Sequence, residues 1–167
     1  MQVEYSYSAI AGAGDSGITD GLYLERLGCE VTIVELMPQP KASRILLDRV
    51  DSNPNIEIKC GTRIESIVGD EQVTGIDIQD VDTGSRSQLE VEGILVRIGP
   101  APNTQFVQDL LPLTPIGQIP VDENMETSIP GIFAAGDVRQ HSPMQLGAAV
   151  GDGVTAAMAL GRYIQSL

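Results

Sequence analysis

Gly12, Gly14 and Gly17, in the order Gly12-x-Gly14-x-x-Gly17, together with Glu35, are the residues whose types and spacing best fit chemistry. Glycines so spaced allow a tight turn, close approach of backbone to a pyrophosphate, and close packing of a helix on a strand. A helix starting at that turn, with Asp15 and Ser16 in its first residues, offers unsatisfied N–H groups and partial positive charge to phosphates. Glu35 lies 35 − 17 = 18 residues beyond the last glycine, near the ~20 expected of an acid that accepts hydrogen bonds from an adenosine ribose. A carboxylate there repels a 2′-phosphate, so the residues favour NAD(H) over NADP(H). Leu36 and Met37 bring no compensating cation. Lys41 and Arg44 lie nearby and would blunt the preference; Lys41 joins the cofactor-binding candidates.

Other reactive side chains are sparse. Cys29 and Cys60 stand 60 − 29 = 31 positions apart, and His141 is the single histidine, so no CxxC pair or Cys/His metal cluster exists within these residues. Both thiols are expected to be packed rather than catalytic, and His141, within the polar stretch 139–142, to be a surface loop residue.

The elements needed to position the glycines and the acid follow from the pattern. Residues 5–11 read as a strand, Ile18, Leu22, Tyr23 and Leu27 fall at helical spacing, and Gly28 is suited to end that helix. The β-branched run 31–34 completes a β-α-β unit ending at Glu35. A short helix over 43–51 and a strand over Ile56–Lys59 come next, then alternating segments 62–69, 73–79 and 87–92, which predict an antiparallel meander. A strand over 93–98 closes this part, and Gly99-Pro100-Ala101-Pro102-Asn103 marks the expected boundary between domains 1–99 and 100–167. The second part predicts short strands at 119–121 and 131–135 and a small-residue helix over 147–164. The fold class is therefore α/β, a Rossmann-like β-α-β unit with a meander, followed by a small α+β lobe.

Composition excludes other classes. With 10 basic and 23 acidic residues in 167, the net charge of −13 argues against partners held by phosphate neutralisation, whether nucleic acid or anionic lipid. The Ala/Gly-rich stretch 147–160 carries Asp152 and is shorter than the ~20 apolar residues of a membrane span. The N-terminal MQVEYSYSAI lacks the basic and long apolar regions of a leader, which with few cysteines makes a cytoplasmic, reducing compartment the expected one.

The ordered series Gly12-Ala13-Gly14-Asp15-Ser16, Val31-Thr32-Ile33-Val34, Lys41-Ala42-Ser43, 91–104, 127–138 and 145–153 resembles the C-terminal portion of the low-molecular-weight thioredoxin reductases and related FAD-dependent pyridine nucleotide–disulfide oxidoreductases. The resemblance runs from residue 10 to residue 163. It implies a nicotinamide-nucleotide domain over 1–99 and the closing part of an FAD domain over 100–167. It implies, further, that Gly136-Asp137 contacts a flavin ribityl chain, that Gln145 and Leu146 approach the isoalloxazine at a helix start, and that Ile98 and Gly99 belong to the segment where the chain leaves the nucleotide domain.

The departures from that family are informative. NADPH-using members follow the second strand with a His-Arg-Arg…Arg pattern, whereas this sequence reads Glu35-Leu36-Met37-Pro38-Gln39-Pro40-Lys41, and position 144 is Met where many relatives carry Arg. The family's dithiol and flavin-binding glycine turn would lie N-terminal to the first strand, so the FAD site is expected to be incomplete and disulfide reduction to fail. Two readings follow. One is an oxidoreductase fragment or component that binds NAD(H) and passes hydride to a flavin; the other is a non-catalytic dinucleotide-binding or interaction module, as a truncated remnant or a regulatory subunit. Either is expected to form a homodimer or to pair with a partner chain supplying the missing flavin half.

Overall fold

The computed structural model describes residues 7–167, so positions 5 and 6 of the first expected strand, and the leader reading of residues 1–6, lie outside the described residues. The chain divides into two compact units, Met1–Gly99 and Pro100–Leu167.

In the first unit, strands β1 (Tyr7–Ala11), β2 (Glu30–Val34), β3 (Ile56–Lys59) and β7 (Gly93–Val96) form one parallel sheet in the order β3-β2-β1-β7. Ile10 of β1 lies opposite Ile33 of β2 and Leu95 of β7. Side chains alternate between sheet faces, and because both faces are covered, successive residues join two different cores. Ile10, Val31 and Ile33 point to a core shared with helix α1 (Asp15–Arg26) and helix α2 (Arg44–Asp51), which contribute Ile18 and Val50. Ala9 and Val34 face Ile76 and Ile78 of the meander, whose strands β4 (Thr62–Gly69), β5 (Val73–Asp80) and β6 (Arg86–Leu89) pair antiparallel. Each fully buried isoleucine contributes about 1.5–3 kcal/mol relative to an exposed one. Cys29, 2% exposed, is part of the helix-side core, as its packed reading requires.

Strand order reverses at β1. The chain steps outward through β2 and β3, then returns to β7 on β1's other side, and such a reversal opens a crevice at the strands' carboxyl ends. Gly12, Glu35 and Arg97 stand directly after β1, β2 and β7 at that end.

The second unit gathers Leu111, Ile119 and Ala134 with Val107, Ile129, Ile132 and Val138 into a small core. Helix α3 (Leu146–Gln165) is its long element. The expected strands at 119–121 and 131–135 are reduced to isolated bridges, Ile119 with Arg139 and Glu126 with Phe133. Pro120 and Pro130 cannot donate to a ladder, and Gly131, at φ +83°, turns the chain away from extended geometry.

The tightest approach in the first unit is between α1 and the turn after β1. A Cβ added to Gly17 would lie 1.9 Å from the Gly12 carbonyl oxygen, and Gly12 itself adopts φ +105°. Gly17→Ala should therefore push α1 off the sheet and lower stability by about 1–3 kcal/mol, read from urea unfolding; an unchanged midpoint would mean the helix is not held this closely.

Candidate functional site

Helix α1 begins at the glycine turn with Gly14 as its N-cap in extended conformation and no side chain capping it. Its first N–H groups thus have no side-chain acceptor at the cap, and they carry the positive end of the helix dipole. A Cβ at Gly14 would meet nothing within 4 Å, so the backbone is open on that side. Gly12, in contrast, is walled in by the Arg97 carbonyl, 2.4 Å from where its Cβ would be.

Glu35 closes this turn from the neighbouring strand end. The Ala13 amide donates to Glu35 Oε2 at 2.8 Å, and the Met37 amide donates to Oε1 at 2.9 Å. The segment after β2 is tied to the same place, since the Lys41 amide donates to the Ala13 carbonyl at 3.1 Å and the Ser43 amide to Asp15 Oδ1 at 2.6 Å. Gly12, Gly14, Asp15, Glu35 and the Lys41 backbone are therefore brought together at the turn, with Ser16 exposed in the first turn of α1 and Gly17 buried beneath it against the Gly12 carbonyl. A carboxylate offers about four acceptor positions, so the two backbone bonds leave Glu35 able to accept from ligand hydroxyls. Arg44 is drawn into an i,i+4 pair with Asp48 at 2.8 Å on the exposed face of α2. At the far side of the crevice Arg97 pairs with Asp20 of α1. Ile98 and Gly99 follow β7 on an exposed stretch, Gly99 at φ +93°.

Cys60 lies on the loop between β3 and β4, and burial first, then the negative charge of Glu35, push its thiol above the ordinary value. It is held protonated at neutral pH and is a poor nucleophile.

In the second unit, Gly136 and Asp137 form a short turn ahead of α3, with Asp137 exposed. Ser142 Oγ lies 3.5 Å from Asp137 Oδ1 and accepts from the Met144 amide at 3.2 Å. This chain of polar contacts leads to Gln145, the N-cap of α3, whose side chain makes no capping bond, and to Leu146, 83% exposed. His141 is exposed, as expected of a loop residue. Among the described residues no group of His, Cys, Asp and Glu could hold a metal ion, and no helix is long and apolar enough to cross a membrane.

Sequence reasoning missed the strongest ion pair of this unit. Arg139 Nε donates to Asp152 Oδ2 at 2.5 Å, and Arg139 Nη2 to Oδ1 at 2.9 Å, a two-point fork on a carboxylate inside α3. The available signal was a lone acid in a helix of Ala, Gly and Val. Hydrogen bonds from Arg139, supported by the Gly136 amide and opposed by burial, hold the Asp152 carboxyl below the usual range. Because its value is depressed in the fold, its stabilisation is present above the unfolded carboxylate value of about 3.9 and fades as pH falls through the folded value. Asp152→Asn should be less stable than the native chain at pH 7, with the gap closing below about pH 4 in urea unfolding followed by circular dichroism. A gap of constant size across that range would contradict the assignment.

Comparison with known proteins places this geometry in a family. The family model described as pyridine nucleotide-disulphide oxidoreductase matches residues 4–153. Alkyl hydroperoxide reductase F of Staphylococcus aureus is 38% identical over 156 residues, 93% of this chain but 31% of that protein. Among solved structures, thioredoxin reductase of Lactococcus lactis is 34% identical with a TM-score of 0.85, over 96% of this chain and 54% of that one. The T. acidophilum thioredoxin reductase is 33% identical, TM-score 0.81, over 96% and 52%. The chain thus spans about a third of the curated relative and about half of each solved chain. An α/β fold like that of the thioredoxin reductases, a glycine turn braced by an acid at the next strand end, and a family match over most of the sequence together mean that the chain belongs to the pyridine nucleotide-disulphide oxidoreductase family.

Proposed function

We propose that the first unit binds NAD(H) in preference to NADP(H), and that the chain corresponds to the C-terminal portion of a thioredoxin reductase-like oxidoreductase, serving as a fragment or component that hands hydride toward a flavin. The observation that carries this reading is Glu35. Its carboxylate sits at the end of β2, fixed by the Ala13 amide of the glycine turn, where a nucleotide's adenosine ribose would lie. The open backbone at Gly14 and the uncapped start of α1 suit a pyrophosphate, with Asp15 and Ser16 in the first turn and Lys41 beside it. A 2′-phosphate would face the Glu35 charge, and the Arg44 guanidinium is already engaged by Asp48.

A bound nicotinamide supplies hydride and a flavin accepts it. In the second unit, the exposed Asp137 suits a polyol chain as hydrogen-bond acceptor, and the uncapped start of α3 at Gln145 and Leu146 suits developing negative charge. Ile98 and Gly99 form the exit from the nucleotide domain, with domains 1–99 and 100–167. Cys29 is buried in the core and Cys60 is held as a thiol, so neither supplies thiol–disulfide exchange. Such thiols suit a reducing, cytoplasmic compartment.

Leu146, Val150, Val154 and Met158 recur every fourth residue along α3 and are all more than half exposed. An apolar stripe of this kind supports association, with a second copy or with a chain carrying further flavin-binding residues.

Calorimetry should find NADH binding at least about tenfold tighter than NADPH, and Glu35→Ala should weaken NADH by about tenfold while narrowing the difference. Equal affinity of the native chain for both nucleotides would overturn the preference. Incubation with FAD and desalting separates the readings: flavin absorbance kept by the protein supports a flavin site on this chain, and its loss from folded chain that still binds NADH favours a nucleotide-binding module or a fragment that needs its missing half.

A further inference from the structure

Asp152 is the only charged side chain buried among the described residues, at 7% exposure, and it lies on α3 where its neighbours in sequence are glycines. A buried ion pair is weak evidence for stability, because apolar residues of similar size commonly serve as well. What sets this pair apart is where its bonds go. Oδ2 accepts from Arg139 Nε at 2.5 Å and from the Gly136 amide at 3.2 Å, while Oδ1 accepts from Arg139 Nη2 at 2.9 Å. Gly136 and Arg139 bracket Asp137, and the Arg139 amide closes the same turn on the Gly136 carbonyl at 3.2 Å. The remaining Arg139 nitrogen, Nη1, donates to the Gln140 carbonyl at 3.1 Å, so the guanidinium is spent on this loop.

One carboxylate therefore grips both ends of the turn that carries Asp137, and Asp137 is left facing out. We infer that Asp152, through Arg139 and the Gly136 amide, is the positioning residue that holds the Asp137 carboxylate in place for a flavin's polyol chain. The inference rests on the flavin reading of this turn. Asp152 touches no ligand itself. Its effect on binding passes through Asp137, as a preorganised contact requires its support to be fixed before the ligand arrives.

The test uses the full chain and two readouts. Hydrogen exchange followed by NMR should show the Gly136, Asp137 and Val138 amides of Asp152→Asn exchanging at least about tenfold faster than in the native chain, with Ile10 and Ile33 of the first unit unchanged. Arg139→Lys keeps the charge but loses the fork, and should move the same amides in the same direction, which covers the case in which Asp152→Asn does not fold. FAD titration should show Asp152→Asn weakening binding about tenfold when Asp137 is present and not at all in an Asp137→Ala background. A purely structural role would give the same loss in both backgrounds, and that result, or unchanged exchange at Gly136, overturns the inference. A native chain that retains no FAD would instead sink the flavin reading, and with it the ligand part of the inference, while the exchange result still decides whether Asp152 holds the turn.

Discussion

The first unit depends on the contact between the Gly12 carbonyl and the place where Gly17 has no side chain. Any Cβ there would overlap the oxygen at 1.9 Å, so the absence of one atom lets α1 start against the end of β1. That seating puts the uncapped N–H groups of the helix at the crevice where strand order reverses. The Ile10, Ile18 and Ile33 core then fixes the helix on the sheet by ordinary apolar burial. Glu35 reads out the result, because its carboxylate can reach the Ala13 amide only if turn and strand end are in register. The proposed selectivity against a 2′-phosphate would then be a by-product of a bond that already braces the turn.

The second unit solves a comparable problem with charge. Its core is small and its strands shrink to bridges, so little regular hydrogen bonding is available to fix the Gly136–Val138 turn. A carboxylate buried in α3 does the holding, and it can remain ionised there because Arg139 supplies two hydrogen bonds and the opposite charge. Backbone amides accepted by Glu35 and a guanidinium accepted by Asp152 are two forms of one device, an acid that immobilises a turn from the adjacent element.

Much of this could be read from the residues. The apolar and β-branched runs located β1, β2 and β3, the alternating segments located the meander, and the small-residue run located α3 to within a residue at each end. The glycine spacing and Glu35 point to one site because both are tied to local geometry of consecutive elements. Three things were not legible. Strand patterns at 119–121 and 131–135 take no account of Pro120, Pro130 and the left-handed Gly131, which prevent a ladder. The Arg139–Asp152 pair joins residues 13 apart across a turn and a helix, and no periodicity links them. The Lys41 and Ser43 amide bonds to the glycine turn depend on the path of a proline-rich loop, which backbone conformation decides rather than side-chain type.

The central claim is that the braced glycine turn receives the nucleotide's pyrophosphate and Glu35 its ribose. The most direct measurement is an amide NMR titration of the isotope-labelled chain with NADH. The account predicts that the largest shifts fall on Gly14, Asp15 and Ser16 and on Ala13 and Met37, the two amides bonded to Glu35. Shifts confined to other parts of the chain, or none at these five amides at saturating nucleotide, would contradict it.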